Sequence, residues 1–417
     1  MPEGLFWQKR FLPLFVTQAC GAINDNLFKN ALVVLALYRL AHVGPVLVAL
    51  AGGVFILPYG LFSAVAGQLA DANEKSRMIR LVKFWELGLA LLATVGFLTG
   101  SFIVLMAVLA GFGVQATFFS PLKYGILPDL LDEDELVSGN GMIEAGTFLG
   151  ILLGTVVGGA LIILPSGALV TSAAVIAVAA AGIAASFKIP AAPAAAPGLR
   201  PDWNVPRETV ALVRLAAGEP AVWFAVVGIS WFWAMGATLL AEFPTIARDA
   251  LHADGHVVTL MLAVFAVGVG IGSLVCARIL RGAASVRYVA YAGFGVSLFT
   301  ADFAFGAMHA GPCANVAAVL GSWQGWHLML DLLVLAAFGG IYSVPLYVLL
   351  QERSAPSHRA RMIGANNVMN AVASVIAAVL TAAVYAAGVS GAVILMAAAV
   401  ANFAVAVWVF WKVRRGV

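Results

Sequence analysis

The stretch AINDNLFKN, residues 22–30, sets Asn24, Asp25, Asn26 and Lys29 inside a run that is otherwise apolar. A carboxylate flanked by two carboxamides can hold a polar or charged group by hydrogen bonding and ion pairing. Lys29 follows Asp25 by four positions, which places both on one face of a helix and lets the ammonium hold the carboxylate ionised. Asn140 and Glu144 share a helical face in the same way, and Asn370 occupies a comparable place late in the chain, so these extend the set of candidate cavity residues. Lys123 and Glu352 each close an apolar run with opposite charges, the requirement for an ion pair that opens and shuts a passage. Simpler readings stand beside these: interhelical hydrogen bonds from the Asn-Asp-Asn cluster, a snorkelling Lys123, and pairing of Glu352 with Arg353. Gly146, Gly150, Gly154 and Gly158 recur every four residues. They form a smooth stripe suited either to close helix packing or to a seam that parts sideways. No metal site is expected, because neither the six histidines nor Cys20, Cys276 and Cys313 show ligand spacing. His42, His252, His256 and His309 read as outer-loop residues, and Glu242, Asp302 and Asp331 as carboxylates facing water near the outer ends of their spans.

The medium around these residues follows from composition. The 417 residues are 62% hydrophobic and 10% charged, with mean hydropathy +1.00, whereas soluble domains carry about 25% charge. Apolar stretches near the length that crosses a bilayer fall at 11–38, 45–69, 80–99, 101–127, 136–162, 167–189, 220–247, 257–281, 287–308, 326–350, 362–386 and 388–411. The reading is an all-α membrane protein of twelve transmembrane helices. An ionised carboxylate at the bilayer centre costs several kcal/mol, so Asp25 is expected to be paired and to face a wet cavity.

Orientation comes from the cations. Lys and Arg cluster at 9–10, 75–83, 188–214, 278–287, 353–361 and 412–415, all on the side of the N-terminus. Arg39 and Arg248 remain for the other side, and Lys29 and Lys123 fall within spans. The positive-inside rule then predicts that both termini are cytoplasmic, with the N-terminal residues a short lead into the first span. A Pro- and Ala-rich linker, 190–219, separates six spans in 1–189 from six in 220–417. The halves resemble each other: FFSPLKYGILPDL after span four matches IYSVPLYVLLQER after span ten, and GQLADANEKSR after span two matches GSLVCARILRG after span eight. Two parallel, pseudo-symmetric six-helix bundles are the signature of the major facilitator fold, with a cavity between the halves. Gly67, Asp71, Lys75 and Arg77 resemble that superfamily's loop motif between helices two and three.

AINDNLF, FFSPLKYGILPDL, GNGMIEAGTFLGILLGTVVGG and VPLYVLLQER together resemble the bacterial lysophospholipid transporter family, LplT, over spans one to eleven. The resemblance implies a flippase that moves lysophospholipids, with ethanolamine or glycerol heads, to the inner leaflet of the bacterial inner membrane. There an acyltransferase and acyl-carrier-protein ligase would rebuild the diacyl lipid. Carried over by position, it implies roles for Asp25, Lys123 and Glu352. One departure stands out. Enteric members carry an arginine in span seven within a segment matching WFWAMGATLL, where this chain has Leu240, and Lys29 is read as the relocated cation. TLLAEFP and VVTLMLAVFAVGVGIGS look closer to members fused to acyltransferase and ligase domains.

Two rival classes are weighed. A cation-coupled transporter of a small solute or drug would use the same fold, with Asp25 as a sodium or proton site. A membrane-bound acyltransferase would need an Asp five residues after a His, and HLMLD, His327 to Asp331, is one residue short, so catalysis is rejected. The expected partners are the lysophospholipid, the bilayer and an acyltransferase, with no nucleic acid and a monomeric state. No cofactor is expected, and sodium or proton coupling is as compatible with Asp25 as flipping down a lipid gradient.

Overall fold

A computed structural model describes residues 4–39, 45–280 and 285–416, the side chains of 37–50 excepted. His42 and Arg281 lie outside the described residues, as does the side chain of Arg39. Twelve long helices follow one another: α1 Leu12–Arg39, α2 Pro45–Ala72, α3 Lys75–Thr99, α4 Phe102–Gly125, α5 Leu136–Ile162, α6 Gly167–Ser186, α7 Pro220–Thr245, α8 Gly255–Leu280, α9 Arg287–His309, α10 Trp323–Arg353, α11 Arg359–Ala386 and α12 Gly391–Arg414. Eleven are long and apolar enough to cross a membrane. The other, α1, is 28 residues long, and its hydropathy is lowered by Asn24, Asp25, Asn26, Lys29 and Asn30.

Local chemistry sets the boundaries. The Ser101 and Ser322 side chains accept from the Val104 and Gly325 amides and so cap α4 and α10. Pro220 opens α7, where its missing N–H costs nothing. Gly100 ends α3 at φ 64°, a conformation that favours a residue without Cβ. Pro121 in α4 and Pro345 in α10 occupy matching places in the repeated motif. In that register Lys123 corresponds to Tyr347, and Glu352 falls beyond it.

Packing repeats between the halves. The pair α1 and α5 is echoed by α7 and α11, α2 and α4 by α8 and α10, and α3 and α6 by α9 and α12. The halves meet where α2 touches α11 and α5 touches α8, contacts related by the same pseudo-twofold. The linker includes an amphipathic helix, Val205–Ala217, that lies against α2, α11 and α7. The linker and the C-terminus share one end of the bundle, since Glu219, Arg353 and Arg415 line a common recess there. This is called the linker end below, and the opposite end the far end.

Candidate functional site

The interior of the first half is ionic. Lys83 and Glu86 of α3 are both fully buried and form an ion pair one helical turn apart. Asn24 Nδ2 donates to Glu86 Oε1 at 3.1 Å, and Gln115 Nε2 of α4 donates to Oε2 at 3.1 Å. Glycine makes room for the ammonium: a Cβ on Gly182 of α6 would stand 2.7 Å from Lys83 Cε. The Phe119 ring lies 5.7 Å from Lys83 Nζ. Burying two charges is tolerable only when each keeps its partner and its hydrogen bonds, and three helices, α1, α3 and α4, supply them here.

This corrects two expectations. Lys83 belongs to the core of the bundle and contributes no surface charge to the orientation argument. Asn24 is fully buried and turned toward Glu86, so it does not line a cavity. Glu86 was missed altogether, because KFWEL read locally as the start of an apolar span, and the signal, an acid three residues after a lysine, is weak by itself.

Asp25 follows Asn24 at the edge of this core. It is half-buried, and its Oδ1 is enclosed without a hydrogen-bond partner. The Lys83–Glu86 pair is tied to the preceding residue, Asn24, and Lys29 follows one helical turn later. Lys29 sits over the Phe55 ring at 5.5 Å and makes no ion pair with Asp25 among the described residues. The proposed relocation of the span-seven cation onto Lys29 therefore does not yield a contact pair. Leu240 is itself exposed. Asn26 turns away from the cavity, donating to the Ala22 carbonyl at 2.8 Å and packing beside Gly154.

A second ionisable group lies toward the linker end. Glu144 accepts from Tyr124 Oη at 3.1 Å, Tyr124 stacks on Tyr347 at 4.5 Å, and Tyr347 Oη accepts from Trp233 Nε1 at 3.1 Å. This chain of rings crosses from one half to the other. Lys123 sits over the Tyr124 ring at 4.6 Å, the ring whose hydroxyl donates to Glu144. Asn370 accepts from Ser230 Oγ at 2.9 Å within the second half.

Below these rings the linker end is clasped. Asp71, fully buried, accepts from the backbone amides of Ala360 and Arg361 at 3.0 and 3.2 Å and from Arg361 Nε at 3.1 Å. A carboxylate thus caps the N-terminus of α11, where unpaired amides and the helix dipole favour an anion. Gly67 permits the approach, since a Cβ there would stand 2.8 Å from Arg361 Cα. Lys75 reaches Asp129 at 2.8 Å, and Arg359 approaches the same carboxylate at 3.7 Å. Gln351 exchanges hydrogen bonds with Asn140 at 2.7 and 3.0 Å and donates to the Tyr124 carbonyl at 3.1 Å. Arg77 is exposed outside the clasp.

The clasp reassigns several residues. Asn140 closes the linker end and does not line the cavity. Lys123 and Glu352 make no ion pair among the described residues, and Glu352 is exposed beside Arg353. They are not equivalent by the proline register: Lys123 lies over Tyr124, while Glu352 falls five residues beyond the matching Tyr347. Arg359 and Arg361 were counted only among the clustered cations and Asp129 was not singled out, although their neighbours Asp71 and Lys75 were.

The glycine stripe also faces differently from expectation. Cβ atoms on Gly150, Gly154 and Gly158 would meet Ala22, Ile23 and Leu27 of α1, and one on Gly146 would meet Gln18 and Phe15. The stripe is the surface on which α1 lies against α5 within the first half. Contact with the other half comes from a separate face, where Gly141 meets the Ser273 carbonyl, Ala145 lies by Gly270, and Phe148 stacks on Trp233 at 6.1 Å.

The second half is lined differently. A narrow recess is walled by Trp231, Phe232, Met235, Leu239, Phe265 and Leu335, with Tyr342 and Asn402 as its polar members. Trp231 Nε1 donates to Asn402 Oδ1 at 2.8 Å, and Asn402 Nδ2 donates to the Gly293 carbonyl and Ser297 Oγ at 2.8 Å each.

Comparisons with known proteins agree with this architecture. Residues 14–310 match the family model described as Major Facilitator Superfamily. The chain is 32% identical over 374 residues to the lysophospholipid transporter LplT of Salmonella paratyphi B, covering 87% of this chain and 83% of that protein. It is 32% identical over 373 residues to LplT of Escherichia fergusonii, with the same coverage. Among solved structures, the human organic anion transporter MFSD10 superposes with a TM-score of 0.74 at 17% identity, over 97% of each chain. The fucose transporter FucP in its outward conformation gives 0.72 at 14% identity, over 97% of this chain and 98% of that one. These two establish the fold alone. The match to the superfamily model and the level and extent of identity to LplT place the chain in the major facilitator superfamily, as a member of the lysophospholipid transporter LplT family.

Proposed function

We propose that the protein is a flippase that moves lysophospholipids from the outer to the inner leaflet of the bacterial inner membrane, where they are reacylated. The observation that carries this reading is the unequal chemistry of the two halves. Asp25, Lys123 and Glu144 offer ionisable groups to a polar head on one side, and an apolar recess walled by Trp231, Phe232, Met235 and Leu239 offers a surface for a single acyl tail on the other. A small polar solute would have no use for the second wall.

The cations that cluster at the linker end support a cytoplasmic location for both termini and the linker. Transport proceeds by alternating access, with the clasp around Asp71 closing the cytoplasmic side in the state described here. Lipid enters sideways at the seam of α5 and α8, where Ala145 and Gly270 present little bulk. The protein works as a monomer without a cofactor, and an acyltransferase with its acyl-carrier-protein ligase consumes the delivered lipid.

The test is reconstitution in liposomes with fluorescent lysophosphatidylethanolamine and its diacyl counterpart. The single-chain lipid is expected to cross and the diacyl lipid scarcely to move. Equal rates for both would overturn the reading, and uptake of a soluble solute without lipid movement would favour the cation-coupled alternative.

A further inference from the structure

Away from the central cavity, three side chains that sequence spacing did not connect come together toward the far end of the second half. His327 and Asp331 are four residues apart on α10 and share a face, and Asp302 is supplied by α9. His327 Nε2 lies 3.3 Å from Asp302 Oδ2 and 3.3 Å from Asp331 Oδ2, and the three donor atoms all fall within 4.8 Å of one another. Gly306 of α9 lies beside the imidazole, where a Cβ would stand 3.4 Å from Nδ1.

The hydrogen-bond arithmetic of this group does not close. Nε2 carries at most one proton and bonds Asp302. Asp331 is only 4% exposed, and its Oδ2 is enclosed without a hydrogen-bond partner although it points at the same nitrogen. Leaving a buried carboxylate oxygen unpaired is costly. If the nitrogen instead presents its lone pair, all three atoms are acceptors converging on one point, and a cation there would satisfy all of them at once.

We propose that Asp302, His327 and Asp331 form a binding site for a divalent transition-metal ion that ties α9 to α10. The two separations from His327 Nε2 are those of a metal's coordination shell: donors about 2.0–2.1 Å from a tetrahedral zinc stand roughly 3.3 Å from one another. Two carboxylates and one imidazole select zinc over manganese by the usual affinity order, and over calcium or magnesium, which prefer all-oxygen surroundings. Asp302 and His327 are 45% and 36% exposed, so the ion has an entry path and a water can complete its shell. The site is distinct from the head-group region, because no residue of α1 or α4 contributes to it.

The experiment uses the untagged full chain in detergent, stripped with a chelator and titrated with zinc by calorimetry, with thermal unfolding as a second readout. Wild type is expected to take up one zinc per chain in the micromolar range or tighter and to unfold at a higher temperature when loaded. Asp302→Asn and His327→Gln should each weaken binding by roughly 10–100-fold or more, since outer-shell partners alone carry that much. His309→Gln, a change at a neighbouring far-end histidine, should leave it unaltered. Asp302→Asn keeps the test decisive if substitution of buried Asp331 prevents folding. Zinc uptake undiminished in the Asp302→Asn, His327→Gln double variant would overturn the proposal, as would a wild type that takes up no zinc at micromolar concentrations.

Discussion

The two half-bundles are built on one packing plan and differ in what fills it. Between α1, α3, α4 and α6, the first half buries a lysine, a glutamate, an asparagine and a glutamine in mutual contact. The matching space between α7, α9 and α12 holds Trp231, Asn402 and Ser297, all neutral. A neutral network can be fully satisfied at small cost, whereas buried charges must be compensated individually. The difference indicates that pseudo-symmetry fixes helix positions only, and that the ionic half is specialised for charge while the other is free to present aromatic and aliphatic surface.

The largest expected effect breaks this comparison directly. Lys83→Met strands Glu86 in the core and should cost about 3–5 kcal/mol, whereas Asn402→Ala in the matching network should cost about 1–3 kcal/mol. Chemical unfolding in detergent gives both numbers. The double variant Lys83→Met, Glu86→Met should recover much of the loss, because it removes both charges together. Equal costs for the single variants of the two halves would show that the ionic core is energetically no different from the neutral one.

The next effect concerns the clasp. Asp71→Asn removes the charge that holds the α11 amides and Arg361, interactions worth about 1.5–3 kcal/mol for a charged group. Distances between spin labels placed on opposite halves at the linker end should lengthen in a tenfold or larger share of molecules. An unchanged distance distribution would mean that packing at Gly67 and the Gln351–Asn140 bonds suffices without Asp71.

A smaller difference separates two glycines. Gly154→Ala drives a methyl group into the α1 backbone and should cost about 1–3 kcal/mol by overpacking, while Gly236 of α7 has open space beside it and should accept alanine with little change. Thermal unfolding of the two variants decides it. Similar tolerance at both would place the stripe outside the α1 contact.

The smallest effect is a null coupling. The linker end is closed here, yet Lys123 and Glu352 do not meet. Reversing both charges should therefore add the two single effects within about 0.3–0.5 kcal/mol in flipping rate. Rescue by the double reversal would restore them as a gate.

Much of this was legible in the chain. Apolar run lengths give the helices, the repeated motif around Pro121 and Pro345 gives the pairing of halves, and the polar residues of α1 mark the helix that packs against the ionic core. What stayed hidden depends on residues far apart in sequence. Glu86 gains meaning only when Asn24 and Gln115 reach it, Arg361 only when Asp71 does, and His327 only when α9 brings Asp302 alongside. The face of the glycine stripe was misjudged for a similar reason: periodicity shows that a surface is smooth and does not say which neighbour it meets. Lys83 misled the reading of orientation, because a cation at the mouth of a span looks the same in sequence whether it meets water or a buried acid.

The central claim is that Asp25, held at the edge of the ionic core, receives the polar head of a single-chain lipid. The most direct test compares the flipping of fluorescent lysophosphatidylethanolamine by wild-type protein and by Asp25→Asn in the same liposomes, with folding of both verified. Asp25→Asn keeps the shape and removes the charge, so the account predicts at least a tenfold loss of rate, in line with a charged hydrogen bond of about 1.5–3 kcal/mol. Flipping by Asp25→Asn at the wild-type rate would contradict it.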